Sequence, residues 1–248
     1  MTTVGILTDI HMRTEYRSEV ADSLLTIYET LSHHNPDHVF VLGDLIQDSD
    51  DPDTDKEHVE LVAELLAPFQ VTYLLGNHDT VNLTRAEIGE IVGQETFYGQ
   101  LTIDDTTFVY LDSQMGDHRV LGEVDESQRE WVATTMDSEP VVLVHHPIAP
   151  FSLRNNPWFS DAPARAFLRN QQAVLDTVCP AARATVSGHI HQTTALRYRG
   201  VPHLSVNAVS KETEDRPVTG TWALLDFEDR LTADLFVEDT HQRTLQLK

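Results

Sequence analysis

An α/β fold is predicted by two features of the chain: short apolar runs rich in Val, Ile and Leu alternate with segments whose apolar residues recur at helical spacing, and the length of 248 residues suffices for one sizeable buried core. No internal repeat, low-complexity linker or domain boundary interrupts the pattern, so residues 1–248 are expected to form a single domain.

The elements follow in order. Val4 to Thr8 reads as a strand, and Val20 to Leu31 as a helix with Val20, Leu24, Ile27, Tyr28 and Leu31 on one face. Val39 to Leu42 is the next strand. A helix then opens with the Thr54 and Glu57 capping-box pattern, carries Val59, Leu61, Val62, Leu65 and Leu66, and stops at Pro68. Val71 to Leu75 is a third strand, and Leu101 to Ile103 with Thr107 to Leu111 flank Asp104 and Asp105 as a hairpin would. A helix is expected from Ser127 to Met136, again with a box at Ser127 and Glu130, followed by the strand Val141 to Val144. After a loop from Ile148 to Pro163 come a helix to about Val178, the strand Ala184 to Ser187, and a mostly β tail that includes Trp222 to Phe227 and Leu231 to Val237. Asp48, Asp50, Asp51, Asp53 and Asp55 crowd one loop; lacking the glycine and terminal Glu of an EF-hand, it reads as a solvated acidic turn rather than a calcium site.

Composition narrows the function classes. The chain has 40 acidic and 17 basic residues, and Lys56, Lys211 and Lys248 are its lysines. A field that negative repels nucleic-acid backbones and anionic membranes, so neither is expected as a partner. It also suits a halophilic setting, because a Debye length of about 3 Å at 1 M salt screens the self-repulsion; the plainer reading is an ordinary acidic protein. No apolar run reaches the roughly 18 residues of a membrane span, and Met1 to Thr3 lead into Val4 without a basic segment. The expectation is a soluble cytoplasmic protein. Cys179 is the single cysteine, which removes disulfides and Cys-rich zinc modules and leaves His, Asp, Asn and Glu to hold any metal.

Five short patterns sit where expected strands end: Asp9-Ile10-His11, Gly43-Asp44, Gly76-Asn77-His78-Asp79, His145-His146-Pro147 and Gly188-His189-Ile190-His191. Each alone is weak, since Asp-x-His or Gly-Asp is more often a turn. In an α/β sheet, however, the carboxyl ends of strands converge on one crevice, so five such patterns in order point to a shared site. Carboxylate oxygen and imidazole nitrogen suit manganese, iron or zinc, and a two-metal site needs a ligand able to bridge ions roughly 3.5–4 Å apart. A carboxylate bridges and an imidazole does not. Asp44 is therefore the expected bridge, with Asp9, His11 and His191 completing one metal's set and Asn77, His145 and His189 the other's. Two such cations invert the local sign of the acidic field and let a small phosphate ester dock. Hydrolysis by metal-activated hydroxide then requires a group that assists the leaving alkoxide; His78 is the candidate, with Asp79 orienting it or a neighbouring ligand. Asn77 and His78 are also expected at the substrate. His146 is open between a supporting, packing or substrate role, and Arg13 between a phosphate contact and a solvent-exposed lead-in.

As a set these patterns resemble the calcineurin-like metallophosphoesterase superfamily, whose signature runs D-x-H, G-D, G-N-H-D/E, H and G-H-x-H in that order. The resemblance spans residues 9–191 and implies a four-layer α/β/β/α sandwich, two mixed sheets flanked by helices, with a dinuclear site at one edge. The His-His-Pro form and modest length are most similar to the small class III cyclic-nucleotide and glycerophosphodiester phosphodiesterases. The protein serine/threonine phosphatases carry G-D-x-V-D-R-G, whereas this chain reads Gly43-Asp44-Leu45-Ile46-Gln47-Asp48. The resemblance thus implies a small-phosphodiester hydrolase; the alternatives are a phosphomonoesterase on a small metabolite and a metal-binding scaffold without activity. Specificity is assigned to Phe151–Pro163, with Arg154, Asn155, Asn156, Trp158 and Phe159, unless that segment is only a surface loop.

Overall fold

The computed structural model describes residues 2–114, 121–136, 139–213, 215–227 and 231–247. In chain order its elements are β1 (Thr3–Leu7), α1 (Arg17–His34), β2 (His38–Val41), α2 (Pro52–Leu66), β3 (Val71–Tyr73), α3 (Arg85–Val92), β4 (Gly99–Ile103), β5 (Thr106–Leu111), α4 (Glu126–Ala133), β6 (Val141–Val144), α5 (Gln171–Val178), β7 (Ala184–Ser187), β8 (Thr194–Tyr198), β9 (Val201–Ser205), β10 (Ser210–Thr213), β11 (Arg216–Val218), β12 (Thr221–Asp226), β13 (Thr232–Val237) and β14 (Thr240–Gln246).

One six-stranded sheet has the order β14-β13-β12-β1-β2-β3 and the other β4-β5-β6-β7-β9-β8, while β10 and β11 pair as a separate two-stranded sheet. In each, the crossover-linked strands are parallel: β1, β2 and β3 in the first, and β5, β6, β7 and β9 in the second. Antiparallel strands complete both, so both sheets are mixed.

The burial pattern explains the layering. Strand residues alternate faces, and a strand covered on both sides needs apolar groups at every position. On β1, Val4 and Ile6 pack with Phe40, Phe108, Leu143 and Val186 between the two sheets. Leu7 joins the other face, against Leu24, Ile27 and Leu31 of α1 and Val59, Val62 and Leu66 of α2. The second sheet's outer face, including Val142 and Val144, meets Val132 of α4 and Val174, Leu175 and Val178 of α5. The result is the α/β/β/α sandwich, each fully buried aliphatic side chain contributing about 1.5–3 kcal/mol. Among the described residues no helix is long and apolar enough to cross a membrane.

Several helix ends differ from the sequence expectation, and side-chain chemistry explains each. α2 starts at Pro52, with Asp51 as N-cap accepting from the Asp53 N–H at 3.3 Å, so proline at the first position wins over the Thr54 box. α4 is capped by Asp125, which accepts from Gln128 N–H at 2.7 Å. α5 begins at Gln171, because Asn170 is occupied by the Val124 carbonyl at 2.6 Å and Arg169 N–H by the Gly122 carbonyl at 2.8 Å. α3 was not anticipated, although Thr84 and Glu87 form a complete capping box and Gly93 ends the helix in the left-handed conformation at φ 71°.

The acidic loop is also not uniformly solvated. Asp55 is fully buried and accepts from Ser49 N–H and Asn82 Nδ2, both at 2.9 Å, Asp51 caps α2, and Asp48 meets His78.

Candidate metal centre

β1, β2 and β3 of one sheet and β6 and β7 of the other end at the same place, and the five sequence patterns are the turns that leave them. The first two turns zip together through Asp9 N–H to the Gly43 carbonyl, His11 N–H to the Asp44 carbonyl and Met12 N–H to the Leu45 carbonyl, each 3.0 Å. Gly43 and Gly76 face one another so closely that a Cβ on Gly43 would strike the Gly76 backbone and one on Gly76 would strike Asp44; Gly43 also has φ +96°.

Five of the seven candidate ligands adopt left-handed backbone conformations: Asp9 (φ 52°), His11 (46°), Asp44 (51°), His189 (67°) and His191 (46°). Such residues cost on the order of 1 kcal/mol each and persist where the surroundings dictate them. Here the strain turns consecutive polar side chains inward at the strand ends.

Five of the seven candidate ligands are held by their other side-chain atoms. Asp9 Oδ2 accepts from Thr8 Oγ1 at 2.7 Å and from His189 N–H at 2.8 Å, which leaves Oδ1 facing His191 Nε2 at 3.3 Å. Asp44 Oδ1 accepts from His78 N–H at 2.8 Å, and its Oδ2 lies 3.7 Å from His11 Nε2 and 3.5 Å from His145 Nε2. His145 Nδ1 is 2.8 Å from the Leu42 carbonyl, His189 Nε2 is 2.8 Å from the Arg165 carbonyl, and His191 Nδ1 is 2.6 Å from the Lys211 carbonyl. These carbonyl contacts fix the tautomers and leave His145 Nε2, His189 Nδ1 and His191 Nε2 for a metal.

The electrostatics suit a cation. Burial is the largest influence on Asp9 and opposes its ionisation, but His191, His145 and the Thr8 hydroxyl together outweigh it and hold the carboxyl below its usual range. Burial, with His191 next in weight, drives His11 well below the ordinary imidazole value, and burial with His145 does the same to His189. Asp9 as an ionised carboxylate and His11 and His189 as neutral imidazoles are thereby favoured, the protonation states a metal requires. Asp9 Oδ1, Asn77 Oδ1 and His145 Nε2 are buried without hydrogen-bond partners, a cost of about 1–3 kcal/mol each that a shared cation would remove. Asp9, His11 and His191 each offer a donor atom within 4.8 Å of the others, and so do Asp9, Asp44 and His145. The residues present fit divalent metal.

The other candidates separate by environment. His78 lines the cleft with its ring 5.0 Å from that of His11, while its Nδ1 contacts the Asp48 carboxylate and lies 2.9 Å from Gln47 Nε2. Burial pulls its pKa down, but Asp44 and Asp48 outweigh that and raise it. Asp79 does not reach the His78 ring in any hydrogen bond among the described residues. Its carboxylate accepts the backbone N–H groups of Asp44 (2.9 Å), Leu45 (2.8 Å), Ile46 (3.3 Å) and Gly76 (2.8 Å), so it holds the backbone of the candidate ligand Asp44. Burial and the Asp44 charge push it up to about 8, against those donors. His146 is buried beside His145 and His189, each of the three offering a donor atom within 4.8 Å of the others, its Nδ1 2.9 Å from Ser113 Oγ and its ring 4.1 Å from that of His189. Arg13 donates to the Pro217 carbonyl at 3.3 Å and lies 4.7 Å over the Tyr16 ring, away from the cleft lining.

The cleft above the ligands has a volume of about 240 Å³ and walls of Trp158, Phe159, Arg165 and Lys211. Asn156 pins the first of these walls: its Nδ2 donates to the Ile190 carbonyl at 2.7 Å, and its Oδ1 accepts from Trp158 and Phe159 N–H, each at 3.0 Å. Sequence reasoning placed Trp158 and Phe159 near the site but missed Asp48, Gln47, Arg165 and Lys211. The signal for Asp48 was its position four residues after Asp44, hidden in the acidic run.

The family model for calcineurin-like phosphoesterases matches residues 2–193. The chain belongs to that family. The calcineurin-like phosphoesterase is 27% identical over 188 residues to a probable cyclic nucleotide phosphodiesterase of Rhodococcus erythropolis, covering 73% of this chain and 59% of the relative. It is 28% identical over 192 residues to a cAMP/cGMP dual specificity phosphodiesterase of Mycobacterium tuberculosis, covering 74% and 57%. The matched region thus spans less than two thirds of either relative. A dimetal phosphatase from Danio rerio shares the fold at TM-score 0.76 and 16% identity, over 100% of this chain and 99% of that one. The expected α/β/β/α architecture and family are both found in this phosphoesterase.

Proposed function

We propose that residues 1–248 act as one catalytic unit that hydrolyses small phosphodiesters, of the cyclic-nucleotide or glycerophosphodiester type, with two divalent ions. The observation that carries this reading is the position of Asp44 Oδ2, 3.7 Å from His11 Nε2 and 3.5 Å from His145 Nε2, between the two expected ligand sets. Two bound ions would polarise the phosphoryl oxygens and lower the pKa of a water toward about 7. Asp9, His11, His191 and Asp44 would hold one, and Asn77, His145, His189 and Asp44 the other.

The chain's own groups do the rest. Asn77 and His78 border the cleft, where they orient the phosphoryl group. Asp48 engages His78 Nδ1, so Nε2 is the nitrogen that delivers a proton or hydrogen bond to the leaving oxygen. Trp158 and Phe159 exclude water from one side. The names of the two bacterial relatives support diester over monoester substrates.

The test is a matched assay on bis(p-nitrophenyl) phosphate and p-nitrophenyl phosphate with added manganese. A higher kcat/KM for the diester supports the reading, and a preference for the monoester contradicts it.

A further inference from the structure

Two cations of this strongly acidic chain occupy equivalent places around the cleft. The Arg165 carbonyl takes His189 Nε2 at 2.8 Å and the Lys211 carbonyl takes His191 Nδ1 at 2.6 Å, so the backbone of each positions one histidine of the Gly188–His191 turn while its side chain lines the cleft. They arrive from separate parts of the fold, Arg165 from the turn Pro163–Arg165 and Lys211 from β10.

The side chain of Lys211 contacts residues outside the candidate ligand set. Lys211 Nζ donates to Gln47 Oε1 and stands 5.5 Å from the Trp158 ring centre; Gln47 in turn meets the Nδ1 side of His78, opposite the nitrogen left for substrate. Trp158 is itself an outer layer, its ring 6.0 Å from that of His191. Arg165 is an exposed residue whose guanidinium makes no ion pair among the described residues. In a chain of 40 acidic and 17 basic residues, an unneutralised guanidinium beside a second cation at the mouth of a small cleft is an arrangement suited to an anion.

We infer that Arg165 and Lys211 are specificity-determining residues that bind a second anionic group, a carboxylate or phosphate carried by the substrate at some distance from the phosphoryl group that reacts. This narrows the proposed function to diesters that carry a further anionic group, which cyclic nucleotides lack, and rests on the phosphoryl group docking at the metal ligands. A guanidinium presents paired donors to either oxyanion, and the ammonium adds a point charge from the lining of the same cleft. A substrate with a neutral or cationic outer group offers these cations no anion to bind.

The test uses the manganese-loaded full chain and calorimetric binding of four compounds that share one phosphoryl group: ethyl phosphate, phosphoglycolate, ethylene glycol bisphosphate and phosphocholine. At least one of phosphoglycolate and the bisphosphate is expected to bind about tenfold more tightly than ethyl phosphate, and phosphocholine more weakly. The arm with the larger preference identifies the outer group as carboxylate or phosphate. In Arg165→Gln/Lys211→Gln the ratio to ethyl phosphate should collapse toward one, with the single variants between. Because each ratio is taken within one protein, a general loss of affinity does not mimic the result. No preference in the natural chain, or a preference that survives in the double variant, overturns the inference. Binding is read without turnover, so an absence of diester hydrolysis with the ratios as expected removes the proposed function alone.

Discussion

The Asp79 carboxylate accepts the backbone N–H of Asp44 at 2.9 Å, so one buried acid holds the backbone of another. The same carboxylate gathers Leu45, Ile46 and Gly76, tying the turn after β2 to the turn after β3. Asp79→Ala should therefore leave four backbone donors buried without this acceptor and tilt Asp44 out of place. Metal affinity is expected to fall about 10–100-fold, as measured by competitive titration with a chelator. Unchanged affinity would show that the turns hold Asp44 without help.

Asp48 and His78 make the second pair. If His78 serves the leaving group, His78→Ala should retain its metals and lose about 10²–10⁴-fold in kcat, with a larger loss for poor leaving groups. Asp48→Asn should produce a smaller loss with the same leaving-group dependence, since it removes the negative charge beside Nδ1 while keeping an oxygen acceptor there and leaving the proton donor in place. Metal content measured alongside the kinetics checks the division of roles. An emptied site in either variant would mean that these residues hold metal.

Much of this arrangement was legible before any coordinates. The five strand-end patterns carried the site because residue type and order are enough to locate where parallel strands deliver polar groups. Asp48 was obscured because Asp50, Asp51, Asp53 and Asp55 share its composition, and only folding separates a buried Asp55 and a cap such as Asp51 from a partner of His78. Arg165 and Lys211 gave no signal at all. Their contribution runs through backbone carbonyls, which every residue has, and through tertiary placement that no local pattern encodes. The helix ends were misplaced for a related reason: several Ser, Thr and Asp residues compete for each cap, and the choice at Asp51 was decided by Pro52.

His38 provides a pH prediction remote from the site. It is buried on β2, with Nε2 2.9 Å from Thr72 Oγ1, and burial lowers its pKa to about 4. The folded state thus keeps this imidazole neutral where the unfolded chain, at about 6.5, has begun to protonate. Between those values the unfolded state binds more protons, so stability is lost as pH falls from about 6.5 toward 4. His38→Asn should flatten the dependence of unfolding free energy on pH by on the order of 1–2 kcal/mol across that window. Denaturant titrations at several pH values measure it, and parallel curves for the two proteins would contradict it.

The central claim is that Asp9, His11, Asp44, Asn77, His145, His189 and His191 hold two ions with Asp44 between them. Metal content of the purified chain after manganese saturation and removal of excess, determined by plasma mass spectrometry beside Asp44→Ala, tests it most directly. Two ions per chain are expected, and fewer than one in the variant. A single ion at saturation, or two ions retained by Asp44→Ala, would contradict it.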